Sequence, residues 1–98
     1  MYARIAKFEG LDAAQIDGMV SGVKRDVESG ERPEGLDDSK GVILLVDRKG
    51  GTSLGIVLFS SEDGMRRGDA ALNEMSPDGG GQRTGVEMYE VAYQHQED

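Results

Sequence analysis

Residues 42–60 constrain the fold more than any other stretch. Residues 42–46 form an unbroken apolar run of strand-favouring types, and Asp47, Arg48, Lys49, Gly50 and Gly51 then supply turn chemistry. Residues 53–60 resume with Leu54, Ile56 and Leu58 on one face, and with Val57 and Phe59 on the other. Two such runs joined by a glycine-containing turn predict a β-hairpin. An antiparallel sheet with one wet face alternates cleanly between apolar and polar residues, and this hairpin does not. Both of its faces need cover.

The flanking segments complete a pattern. Residues 2–9 alternate loosely and carry Ile5 and Phe8, which predicts a first strand ended by Gly10. Asp12 with Gln15 three positions on has capping-box spacing. Ile16, Met19, Val20, Val23 and Val27 then recur at helical intervals to about Ser29. Residues 29–40, polar and holding Pro33, predict a surface connection. Ser60 or Ser61 caps a second helix with Glu62 and Asp63 at its positive end, and Met65, Gly68, Leu72 and Met75 form its narrow apolar stripe. Pro77 stops it, residues 76–82 make a loop, and residues 86–93 form a last strand.

The order β-α-β-β-α-β predicts an α+β, ferredoxin-like fold, with one domain over residues 1–98. Its four-stranded antiparallel sheet carries both helices on one face. The other face is apolar as well, with Tyr89, Val91 and Tyr93 in the last strand, so a second copy of the chain is the expected cover.

Composition excludes several function classes. A net charge of −8, from 19 acidic against 11 basic side chains, repels phosphate backbones, so no nucleic acid is expected as a partner. The absence of cysteine removes disulfides, thiolate metal sites and a Cys nucleophile together. No apolar run approaches the roughly 20 residues of a membrane span, and no signal peptide opens the chain, so a cytoplasmic protein without a membrane partner is expected.

The residues Ala3-Arg4-Ile5-Ala6-Lys7-Phe8-Glu9, the helix after them and residues 40–48 resemble the dimeric α+β barrel superfamily. The stretch Ile56-Val57-Leu58-Phe59-Ser60-Ser61-Glu62-Asp63 is similar to the strand-to-helix junction of its antibiotic biosynthesis monooxygenase-like members, and residues 86–92 fit the family's last strand. Among these members the chain looks most like small actinobacterial ones with no assigned activity. The resemblance implies a homodimer with sheets packed face to face and a pocket between each sheet and its own helices. Members include cofactor-free monooxygenases of polycyclic phenols, haem degraders and lactone isomerases, so the fold leaves the function open.

The family's haem degraders carry an Asn on the first strand, a Trp on the second helix and a downstream His. The corresponding positions here are Ala6, the neighbourhood of Gly68, and Pro77, and none matches. No cofactor is expected. Cofactor-free oxygenation needs an apolar pocket with polar groups to deprotonate a phenol. Arg4 and the tyrosines supply such groups. If Ala6 lines the pocket, Tyr2, Arg4 and Phe8 share its face, with Phe59, Met65 and Tyr89 as further candidate lining.

Each candidate also has a plainer role. Arg4 suits a strand-end ion pair, Phe59 and Met65 suit packing, and Tyr89 and Tyr93 suit a dimer face. His95 falls in the polar tail. Arg66 and Arg67 are expected to pair with Glu62, Asp63 or Asp69 on their own helix. The acidic stretch 28–38 lacks cation-loop spacing and is expected to be a solvated connection, and Gly79, Gly80 and Gly81 a loop able to act as a lid. With Trp and Cys absent and no placed His, the expected function is small-molecule binding or a non-catalytic interaction. The alternative is a cofactor-free monooxygenase-like enzyme acting on an aromatic or quinone-type metabolite.

Overall fold

A computed structural model describes residues 1–74 and 82–97. The elements follow the order β1 (Tyr2–Glu9), α1 (Ala13–Ser29), β2 (Ser39–Asp47), β3 (Thr52–Phe59), α2 (Glu62–Asn73) and β4 (Gln82–Glu90). They form one four-stranded sheet ordered β2-β3-β1-β4 with every neighbouring pair antiparallel. This is the ferredoxin-like α+β arrangement. Among the described residues no helix is long and apolar enough to cross a membrane.

The helix signals act as their chemistry requires. Asp12 accepts the Gln15 amide while the Gln15 side chain accepts the Asp12 amide, a complete capping box. Gly30 closes α1 in the left-handed region at φ 74°, a conformation that side-chain-bearing residues rarely adopt. Ser61 rather than Ser60 caps α2, accepting from the Gly64 amide, with Glu62 and Asp63 in the first turn.

Two strands are longer at their starts than the sequence pattern predicts. β2 begins at Ser39, opposite Phe59, with a register shift before Gly41. β4 begins at Gln82 because β1 offers a ladder as far as Glu9, which that polar stretch does not advertise. At the other end the ladder runs out at Met1, whose carbonyl accepts the Val91 amide. Residues 91–93, Val91 and Tyr93 among them, therefore lie outside β4, and Tyr93 is 83% exposed. Pro77 and the glycines of 79–81 lie outside the described residues.

Two separate cores join helices to sheet. Leu11, Ile16 and Met19 pack against Phe8 and Leu44 under the first half of α1. Phe59, fully buried, packs under α2 against Gly68. A hydrogen bond from the Leu11 amide to the Gly51 carbonyl (3.0 Å) and an Arg48–Asp17 ion pair (2.8 Å) fix the hairpin turn to the start of α1.

The charged residues of α2 pair differently from expectation. Arg66 does reach Glu62, but Arg67 reaches Asp37 in the 30–38 connection. Asp69 is taken by Arg4 of β1. The expectation considered only partners on one helix, whereas both the connection and β1 pass beside α2.

Asp38 fastens that connection to the start of α2. Its carboxylate accepts from the hydroxyls of Ser60 and Ser61 and from the Ser61 amide. A methyl group on Gly64 would run into it, so the approach depends on a bare Cα. The hydroxyl of Ser60, then that of Ser61, holds the Asp38 carboxyl below its ordinary pKa. A depressed carboxyl stabilises the fold above its unfolded pKa of about 4, and the contribution disappears as pH falls through the folded value. Asp38→Asn is therefore expected to lower the urea midpoint near neutral pH, with the difference from wild type closing below about pH 4. A difference independent of pH would show that the carboxylate charge is not what holds the junction.

Candidate functional site

A cavity of about 240 Å³ lies between the two cores. Its floor is the helix-side face of the sheet and its roof is the second half of α1. The floor is hollow for a simple reason. Ala6 pairs with Gly55, and Gly55 pairs with Leu44, so the two central strands meet there through a methyl group and a hydrogen. A Cβ built on Gly55 would touch nothing within 4 Å. The walls are apolar, with Phe8, Met19, Val23, Val57 and Leu72 among them.

Four polar groups interrupt this lining: Arg4, Arg83, Ser53 and Asp26. Arg4 is 3% exposed. Its Nε donates to Asp69 at 2.8 Å and its Nη2 to the Asn73 Oδ1 at 3.1 Å. Arg83 donates to that same oxygen at 2.7 Å. Two guanidinium groups thus meet on one neutral acceptor, held by α2 from above and by β1 and β4 from below.

Ser53 sits at the other end of the floor, opposite Phe8. It is 1% exposed, and its hydroxyl has no hydrogen-bond partner among the described residues. Leaving a buried hydroxyl unpaired costs about 1–3 kcal/mol, a cost that packing alone does not explain. Ser53 and Arg4 are separated by four strand positions, roughly 13 Å along the sheet.

The candidates named from sequence divide into three groups. Arg4 and Phe8 line the cavity together with Ala6. Phe59 and Met65 lie on the helix side but are buried at 0% and 5% exposure in the α2 core, outside the cavity wall. Tyr89 is on the opposite face. It pairs with Ala3, whose side chain points away from the helices, and its hydroxyl bonds to Glu87 there, which raises the phenol above its ordinary pKa. Sequence reasoning missed Ser53 and Gly55. Their signal was present: they share the face of Val57 and Phe59, where a small or polar residue breaks the inward pattern.

The face away from the helices carries its own apolar surface. Ile43, Ile56 and Ile5 line up across β2, β3 and β1, flanked by Leu45 beside Leu54. Ile43 and Leu45 are 44% and 47% exposed. Residues 94–96 cross one end of this face, beside Met1, Lys40 and Leu58, which gives His95 a place there with Glu97 at 3.5 Å. Among the described residues no three His, Asp or Glu side chains gather as a metal site requires.

Fold and site together define a class: a ferredoxin-like α+β protein with an apolar, arginine-ended cavity between its sheet and its first helix. No protein-family model matches the chain, and no curated protein matches it.

Proposed function

We propose that the protein is a non-catalytic small-molecule-binding module of the dimeric α+β barrel type, taking one compact apolar ligand per subunit in the cavity above Gly55. The observation that carries this reading is the pairing of a hollow floor with an unpartnered buried hydroxyl. An apolar cavity of about 150 Å³ suffices for a single benzene-sized ring, so one of about 240 Å³ has room for a ligand of one to two rings. Glycine within a strand lowers stability by roughly 0.5–1 kcal/mol relative to alanine, and here nothing is packed into the space that it leaves.

Gly55→Leu is therefore expected to fill the cavity without strain and to raise the urea midpoint. Titration with 2-naphthoate and 2-naphthamide, followed by amide chemical shifts, tests the binding itself. Saturable binding of at least one to the wild type, lost in Gly55→Leu, is the expected result. No saturable binding of either compound would overturn the reading.

A second copy completes the molecule in this proposal. The Ile43–Ile56–Ile5 row and the exposed Leu45 beside it are apolar and would be covered by the same face of a second copy, for which ~800 Å² per subunit is an ordinary area. Ile43→Glu, at an exposed position, is expected to turn a dimer into a folded monomer in sedimentation velocity. A wild-type protein that sediments as a monomer at micromolar concentration would rule out the pairing.

A further inference from the structure

We infer that the ligand of this cavity is an organic carboxylate, its charged end at Arg83 and Arg4 and its apolar body over Ala6 and Gly55. The inference rests on the small-molecule reading above and adds the chemical class.

The two arginines at the α2 end of the cavity are unequally partnered. Arg4 has a carboxylate partner, Asp69, at 2.8 Å. Arg83 has none among the described residues and donates only to the neutral Asn73 oxygen. Asp26 lies on the roof and forms no ion pair with either arginine. With Asp69 on Arg4 and Asp26 on the roof the formal charges around the cavity balance, yet the Arg83 guanidinium keeps no carboxylate partner among the described residues.

Both guanidinium groups bond to the same Asn73 oxygen, one at 3.1 Å and the other at 2.7 Å. Holding like charges that close is unfavourable unless an anion joins them. A planar carboxylate matches the guanidinium fork and gives Arg83 the charged partner it lacks. A phosphate dianion would overshoot, with Asp69 and Asp26 already present. The Ser53 hydroxyl, about 13 Å along the floor from Arg4, accepts or donates one hydrogen bond to a polar substituent at the distal end.

The test is calorimetric titration of the full chain with 2-naphthoate and with its neutral isostere 2-naphthamide, using wild type, Arg83→Gln and Gly55→Leu. The acid is expected to bind wild type about tenfold or more tighter than the amide. Arg83→Gln should bring the two close to parity, because Arg83 is exposed and its replacement leaves both cores intact. Gly55→Leu should lose both. Equal affinity of acid and amide in wild type, or an unchanged preference in Arg83→Gln, would overturn the carboxylate assignment while leaving the small-molecule reading in place. Acid binding that survives Gly55→Leu would place the anion on surface arginines and overturn it as well. If neither compound binds, both readings fall together.

Discussion

Asp69→Leu is expected to cost about 3 kcal/mol, read as a lowered urea midpoint at neutral pH. Arg4 is 3% exposed and reaches Asp69 at 2.8 Å. Removing the carboxylate leaves a guanidinium that stays buried with only the Asn73 oxygen to receive it. Breaking one partner of a buried pair costs about 3–5 kcal/mol, and the 23% exposure of the Asp69 side chain puts this case at the low end. The double replacement Arg4→Met with Asp69→Leu should recover most of the loss, since an apolar pair of similar volume carries no desolvation cost. A single Asp69→Leu variant as stable as wild type would show that water reaches Arg4 freely.

The second large effect has an unusual sign. Glycine inside a helix costs about 1 kcal/mol relative to alanine, so replacing it ordinarily stabilises. At Gly68 the reverse is expected, because a Cβ there would run into the ring of Phe59. Phe59 is fully buried and has nowhere to move. Gly68→Val should therefore lose about 3 kcal/mol, at the upper end of ordinary overpacking. Shortening the ring side chain in Gly68→Ala with Phe59→Leu should be less damaging than Gly68→Ala alone. If Gly68→Ala were neutral or stabilising by itself, α2 would have to ride higher on the sheet than described.

What the sequence disclosed follows the range of the forces involved. The capping box at Asp12 and the hairpin around Gly50 depend on neighbours within a few positions, and both were legible. Arg4 and Phe8 were legible as neighbours in the cavity lining because alternation along one strand places them beside Ala6. The face of Tyr89 was not legible, since it depends on the pairing with Ala3, a contact between strands far apart in the chain. The start of β4 at Gln82 hid for the same reason: its polar residues are held by the backbone of β1 rather than by their own propensity. The partner of Asp69 was likewise set by a strand that packs beside its helix. Ser53 and Gly55 carried a local signal, two small residues on an inward face, whose meaning appears only once α1 is seen to pass over them.

The register of β1 has a consequence for how the chain matures. β1 is a central strand, and one of its two partners, β4, pairs Glu90 with Tyr2. During synthesis, β1, β2 and β3 can associate early, yet one edge of β1 stays open until residues 82–90 emerge. Arg83, which borders the cavity, arrives with them. Closing so long a loop is entropically slow, and the open edge displays unpaired backbone beside an apolar sheet face in the meantime. The newly made chain is thus most prone to aggregate just before the cavity between sheet and α1 is completed.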